Sequence, residues 1–524
     1  MGVADLVVMG VEFGSGGVQA RSAVHPITAR KETMDGMNLM WRARTESVGG
    51  SRTPCSVLDR SMLAAAAIAP ISNFLAAALA LCVAPQAQQA PPPPDPDEAM
   101  KQDRPGTEPE PETDGPFAQQ PGFSLLPKTP PTMMPYLATV NLYGDSCTQA
   151  GALITGDPLS NAAQIVKTAL AQYGVNYAIW QSYNFVAMSG TLGNTKDVLN
   201  YYSFNSFLTW NIFQTDELGG SAGWLTVGGS AGTGLGYDGD KQTAQGNMGT
   251  LGFPLGTDVG QSAYLYQLAW QQSFMAGQVV VTVGLLDPEM YLDLNTYANN
   301  QYNQLINYEF INPAVLPWSY NAMGVVVQWQ PVNWFYAMFA SAANNTPVGE
   351  SPVQGISSDD WTNTFEFGLI GEDICGLGPG TIRALPFFGT AHGETGAGFM
   401  VNLEQKLGKE TPLGMFMRAG FTNEALGAVQ GAKSSFATGL VMNGPSESAL
   451  LKTQQAYFAG GFYWLESPYA TSIHENEYGL ELTYVLQLTE TLTLQPDIQV
   501  ILDPAKNPNT DSAVMFTMQL VYTW

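Results

Sequence analysis

From residue 175 to the carboxyl terminus, apolar and polar positions alternate with period two in segment after segment. Val175, Tyr177 and Ile179 alternate with Asn176 and Ala178, and Tyr264, Tyr266, Leu268 and Trp270 alternate with Leu265, Gln267, Ala269 and Gln271. Phe365, Phe367 and Leu369 flank Glu366 and Gly368, while Phe399, Val401 and Leu403 flank Met400 and Asn402, with Glu404 next. Met415 and Met417 flank Phe416 ahead of Arg418. Leu480, Leu482, Tyr484, Leu486 and Leu488 enclose Glu481, Thr483 and Gln487; Leu492, Leu494, Ile498 and Val500 enclose Thr493, Gln495, Asp497 and Gln499. Successive strand side chains point to opposite faces, so each segment predicts a strand with one bulky apolar face and one polar or small face. DPLSNAAQIVKTALAQYG (157–174) instead follows the helical period, with Ile165, Val166, Ala169 and Leu170 on one side and Gly174 closing it.

A soluble sandwich gives the same alternation, so the connections decide. The segments number about sixteen, an even count, and run roughly nine to fifteen residues, the length of a tilted membrane strand. Long connections at 190–199, 238–261, 287–320, 344–361, 392–395, 422–434, 465–475 and 503–512 fall at one end. Short ones such as 276–277, 331–333 and 489–490 fall at the other, although 373–380 and 444–455 are longer than ideal. The chain ends VMFTMQLVYTW, with Val514, Phe516, Met518, Leu520, Tyr522 and Trp524 in one period-two row, the form of a terminal strand read by outer-membrane assembly machinery. The reading is all-β: a sixteen-stranded antiparallel transmembrane barrel over 175–524, preceded by a periplasmic segment with a short helix over 136–174. Trp224, Trp318, Trp329, Trp334 and Tyr522, near strand ends, suit interfacial aromatic girdles.

Composition removes several alternatives. Charged residues make up 12%, against ~25% in ordinary soluble domains, and a mean hydropathy of -0.02 does not suit a bundle of membrane helices. A net charge of -25 argues against a nucleic-acid partner. The three histidines, His25, His392 and His474, are isolated, and no HxxxH or CxxC spacing occurs. No metal site, cofactor or catalytic set is therefore expected, and the chain is not read as an enzyme. Upstream of the barrel, 1–60 carries scattered arginine without a period, and 61–87 reads as a signal peptide or, less well, a membrane anchor. Residues 88–135 are proline- and acid-rich and read as a disordered linker.

The block LYQLAWQQSFMAGQVVVTVGLLDPEMYLDLNTYANNQYNQLINYEFINPAVLPWS (265–319) resembles the carbohydrate-selective porin (OprB) family, with its G-x-x-D strand end, YANN and the NPA-L-P segment. ENEYGLELTYVLQLTETLTLQPDIQVILDPAKNPN (475–509) is similar to the penultimate hairpin of that family. The block before the first strand departs from the family and keeps only Gly144 and Asp145. The resemblance implies a Gram-negative outer-membrane porin, embedded in lipid, that passes sugars and other small solutes by passive diffusion, as a monomer or a homotrimer.

In such a pore the loop after the fifth strand is the candidate constriction. Asp287, Glu289, Asp293, Asn299 and Asn300 supply acceptors and donors, and Tyr291, Tyr297 and Tyr302 supply rings; an outward-facing cover is the alternative. Arg383, Arg418, Glu366, Glu404 and Glu481 fall on inward positions and could set a transverse field or pair with one another as buried ions. Cys147 and Cys375 both map to the periplasmic side, which would allow a disulfide or two free thiols. A general or cation-preferring porin, and an envelope-structural barrel tethered by its linker, remain open beside the carbohydrate reading.

Overall fold

The computed structural model describes residue 154 and residues 156–523, apart from 194, 216–220, 238, 257–262, 276, 318–321, 345–355, 357–359, 410, 445–455 and 470. The expected signal peptide, the linker, Cys147, Trp318 and Trp524 lie outside the described residues.

Period-two patterning gives strands β1 (Val175–Ser189), β2 (Val198–Thr215), β3 (Ser221–Tyr237), β4 (Tyr264–Phe274), β5 (Val279–Leu286), β6 (Ala322–Val332), β7 (Phe335–Ala343) and β8 (Trp361–Gly371). It continues through β9 (Gly380–Ala391), β10 (Glu394–Lys406), β11 (Leu413–Thr422), β12 (Ser434–Gly444), β13 (Ala456–Glu466), β14 (Asn476–Gln487), β15 (Leu492–Leu502) and β16 (Ser512–Thr523). Each strand bonds antiparallel to the next, and β1 closes on β16 from Trp180 opposite Thr523 to Ser189 opposite Val514. Closure removes both sheet edges, which a wall in hydrocarbon requires because lipid offers no partner to a free N–H or C=O.

The outward face is the apolar one. Phe185, Leu268, Phe367, Leu440, Leu480, Leu482 and Phe516 stand exposed on it, while Ser182, Asn184, Gln267, Gln328, Asn402 and Gln519 are buried on the lumen side. Trp329 and Trp334 are exposed near the short-turn end, as a girdle demands. Trp224 is not: it is 3% exposed, on the inner face of β3, so its place in the girdle is corrected. A bulge between Gly228 and Gly229 against Gln267 and Leu265 also breaks the simple alternation of β4. It leaves Leu265 facing out and brings Tyr264 and Tyr266 to the lumen. The sequence pattern alone places these three residues in one uninterrupted register.

The loops are more structured than their composition suggests. Helix α1 (Pro158–Ala171) precedes the barrel, α2 (Lys241–Met248) lies in the β3–β4 loop, α3 (Tyr308–Ile311) in the β5–β6 loop and α4 (Glu424–Gln430) in the β11–β12 loop. By pattern the β3–β4 and β11–β12 segments read as plain loops; Asp240 capping the Thr243 amide, and Gly249 in the left-handed region, are the local signals for α2.

Helix α1 begins where expected. The Asp157 carboxylate caps the Leu159 amide at 2.9 Å and accepts the Thr489 hydroxyl at 2.8 Å. Glu490, on the β14–β15 turn, accepts the amides of Gly156 and Asp157 at 2.7 and 3.1 Å. The helix start is thereby pinned to a short turn of the barrel, while its apolar residues Ile165 and Val166 are exposed.

Leu482→Arg, on the outward face, is expected to cost about 2–4 kcal/mol in bilayer unfolding measurements, the midplane value for a cation facing lipid; an unchanged stability contradicts the facing. The amide of Gly156 holds the Glu490 carboxyl below the usual glutamate range. A depressed carboxyl contributes above its unfolded value and loses that contribution as pH falls through its folded value. Proteolysis at 154–160 is therefore expected to be slow at neutral pH and to accelerate on acidification below the ordinary glutamate range; a pH-independent rate contradicts the anchor.

Candidate constriction inside the barrel

Residues 287–317, in the connection between Leu286 and Ala322, turn into the lumen. Tyr291, Asp293, Ala298, Asn300, Leu305 and Phe310 along it are all 0–1% exposed. Asn and Asp turns let the chain fold back on itself: the Asp287 carboxylate caps the turn Pro288–Met290 through the Glu289 amide at 3.1 Å, and Asn307 caps α3 through the Glu309 amide at 2.9 Å. Asn295 accepts the amide of Tyr297 and Asn300 that of Tyr302, both at 2.9 Å. The dense asparagine content is thus spent on folding the loop.

Side chains of the wall bind what the loop leaves over. Arg383, Asn402 and Arg418 stand side by side on β9, β10 and β11, each paired through Asn402. Arg418 reaches the Asp293 carboxylate at 2.8 Å, the Asp293 carbonyl at 2.8 Å, the Ala298 carbonyl at 2.9 Å and also the Phe310 carbonyl. Asn402 donates to Asp293 Oδ1 at 2.5 Å and accepts Asn295 Nδ2 at 2.7 Å. Asp293 itself sits at φ 59, a left-handed conformation that Asp tolerates and this network fixes.

Arg383 pairs with Glu404 at 3.0 Å and lies 3.8 Å from Glu366. Tyr336 donates to Glu366 at 2.6 Å and accepts Arg383 Nε at 3.0 Å. Its ring lies over Gly368, where a Cβ would come within 2.0 Å of Tyr336 Cε1. The second oxygens of Glu366 and Glu404 accept loop amides, those of Asp293 at 2.7 Å and Thr296 at 2.5 Å.

On the far wall Glu481 accepts the amides of Ile306 at 2.6 Å and Asn307 at 2.9 Å, and Tyr457 donates to the Tyr297 carbonyl at 2.7 Å. Glu477 does the same for the β3–β4 and β15–β16 loops, taking the amides of Leu251, Gly252 and Ala505 at 2.7, 3.2 and 3.2 Å. It shares the inward parity of Glu481, which was the signal available in the sequence.

The expected site residues therefore divide. Asp293, Glu366, Arg383, Glu404 and Arg418 come together as one buried network, and Glu481 and Tyr297 sit in loop-to-wall contacts. Tyr291 accepts a hydrogen bond from Gln267 at 2.7 Å, and the Asn300 amide donates to Gln304 at 3.1 Å. Asp287, Glu289 and Asn299, with Gln301 and Tyr302, line a cavity of ≈ 170 Å³ between the loop and the β1–β4 wall, room for on the order of ten waters. Cys375 is exposed and carries no disulfide among the described residues.

The wall side of the cavity was not foreseen from the sequence: Trp180, Asn205, Ser230, Tyr264 and Tyr266, with Lys241 from α2. The Lys241 ammonium lies over the rings of Tyr308 and Phe253, 4.5 and 5.3 Å from their centroids. Glu289 accepts Asn312 Nδ2 at 2.7 Å and the Tyr308 hydroxyl. Asn205 donates to the Tyr302 hydroxyl at 2.9 Å, so the cavity offers amides, carboxylates and aromatic faces together.

Arg418→Met leaves Asp293 buried without its cation, for an expected loss of about 3–5 kcal/mol in chemical unfolding. A loss below about 1 kcal/mol, the range of exposed pairs, contradicts the network as the loop's anchor.

The family model "Carbohydrate-selective porin, OprB family" matches residues 208–425 and 416–523. No curated protein sequence matches the chain. Among solved structures the chain is similar to Pseudomonas putida OprB at high pH, with TM-score 0.54, 14% identity and coverage of 68% of this chain and 96% of that one. The low-pH structure of Pseudomonas putida OprB gives TM-score 0.44 at 14% identity, covering 72% and 100%. A mutant of the Rh. blastica porin gives 0.40 at 8% identity, covering 67% and 100%.

Proposed function

Given that the chain belongs to the carbohydrate-selective porin, OprB family, we propose that it is an outer-membrane channel through which carbohydrates and other small solutes diffuse passively. The observation that carries this reading is the cavity between the inward loop and the β1–β4 wall. A sugar crossing it exchanges water for the amides of Asn205, Asn299, Gln301 and Asn312, and lays its C–H faces on Tyr264, Tyr266, Tyr302 and Trp180. Weak, successive partners of this kind favour passage over capture. The buried ionic network supplies no free charge to that route; its role is to hold the loop at a fixed distance from the wall. Closure within one chain makes each protomer a complete passage, alone or in a homotrimer.

A cation-leaning conductance is the second reading, favoured by Asp287 and Glu289 in the lining against Lys241, whose charge lies over aromatic rings. The envelope-structural alternative rests on the linker, which lies outside the described residues.

Purified protein in planar bilayers is expected to show single-channel conductance that falls in a saturable manner as glucose or another neutral sugar is added. Glu289→Gln is expected to lower the cation-over-anion permeability ratio by about twofold or more, read from reversal potentials, since one of few lining charges is removed. Conductance indifferent to every sugar, with strong cation preference, contradicts the carbohydrate reading; absence of conductance contradicts the channel.

A further inference from the structure

On the inner wall, four residues along β14 from Glu477, β14 and β15 bring two further carboxylates together with no base beside them. Glu481 and Asp497 lie against each other there, 4% and 2% exposed. Neither joins an ion pair among the described residues. Glu481 spends its two oxygens on the loop amides of Ile306 and Asn307. Asp497 accepts Gln499 Nε2 on Oδ1 at 3.1 Å and is also hydrogen-bonded with the Glu481 and Thr483 side chains, while its Oδ2 has no donor in close hydrogen-bonding geometry.

Three more buried oxygens nearby share that condition: Gln495 Oε1, Thr517 Oγ1 and Gln519 Oε1, each on a residue 0% exposed. Asp497 stands opposite Thr517 and Gln495 opposite Gln519 in the register. Positions two apart share a face, so the four form a square on the lumen wall with cross-strand Cβ spacings of about 5 Å. The amides have little freedom to turn a nitrogen inward. Gln519 Nε2 donates to Asn184 Oδ1 at 2.8 Å, and Gln495 Nε2 to Thr483 Oγ1 at 3.2 Å and to the Gln304 carbonyl.

Buried acceptors without donors are costly, and so are two adjacent buried carboxylates without a positive charge. One partner answers both conditions: a hard cation, which takes carboxylate, amide and hydroxyl oxygens at about 2.4 Å and balances two negative charges. The absence of sulfur and imidazole disfavours softer metals. We infer that Asp497, Gln495, Thr517 and Gln519, with Glu481 as the second charge, form a buried site for a divalent cation of the calcium class. All-oxygen sites of this kind leave no HxxxH or CxxC spacing in a sequence. Because Glu481 and Gln495 also hold loop positions 304–307, the ion ties the second half of the constriction loop to the wall.

The test uses the detergent-purified full chain, stripped with EDTA, with Ca²⁺ and Tb³⁺ as probes. Wild type is expected to gain thermal stability with added Ca²⁺ in a saturable manner and to bind Tb³⁺ with ring-sensitised luminescence that Ca²⁺ displaces. Asp497→Asn, nearly the same shape, is expected to weaken Ca²⁺ affinity at least about tenfold, and Thr517→Val to weaken it in the same direction. Rescue of stability by low pH alone, with no Ca²⁺ effect, overturns the inference in favour of a shared proton. A Ca²⁺ effect that survives both variants also overturns it; loss of that effect in Asp511→Asn would move the binding to the partly exposed cluster His474, Asp503 and Asp511.

Discussion

The pairing of β1 with β16 is the constraint on which the rest of the molecule depends. Hydrocarbon cannot satisfy a backbone N–H or C=O, so a sheet that enters it has to close. Closure then turns every inward side chain toward a confined space. Polar groups there have lost bulk water and need partners, and the wall strands supply many of them at a spacing fixed by the barrel register.

The β5–β6 loop is the answer to that need. A segment folded into a lumen brings unpaired amides and carbonyls with it, and the wall brings unpaired carboxylates and guanidinium groups. Each completes the other: Glu366, Glu404 and Glu481 accept loop amides, and Arg418 donates to loop carbonyls. Loop and wall are therefore one buried structure on the β8–β15 side. On the β1–β4 side the loop touches the wall at fewer points, Gln267 to Tyr291 and Asn205 to Tyr302, and rings and amides border the space left between them. The ionic anchoring of the loop thus lies on one side of the lumen, and the proposed route lies on the other.

How much of this could be read beforehand follows from what period two encodes. Alternation such as Leu480–Glu481–Leu482 states which face is apolar, and with the loop-length asymmetry it yields strand order, barrel class and the inward position of Arg383 and Arg418. It says nothing about depth or partner. Whether an inward arginine borders the route or is consumed by a loop carbonyl depends on contacts such as Arg418 to Ala298, more than a hundred residues away in sequence. The β4 bulge was invisible for a related reason: Tyr264 and Tyr266 alternate perfectly with their neighbours, and only the pairing to Gly228 and Gly229 shifts their face. Lys241 escaped notice because its short polar helix carries no amphipathic signal.

The central claim is that solute passes beside the loop along β1–β4, not through the charged side. Thiol modification of single cysteines during bilayer recording tests it most directly, in a background with the native cysteines replaced. Ser230→Cys, in the cavity lining, is predicted to react with a small charged methanethiosulfonate and to lose conductance stepwise. Asn402→Cys, 0% exposed beneath the loop, is predicted to leave the open-channel current unchanged on the same timescale. Rapid block through position 402 with no effect at position 230 would contradict the account.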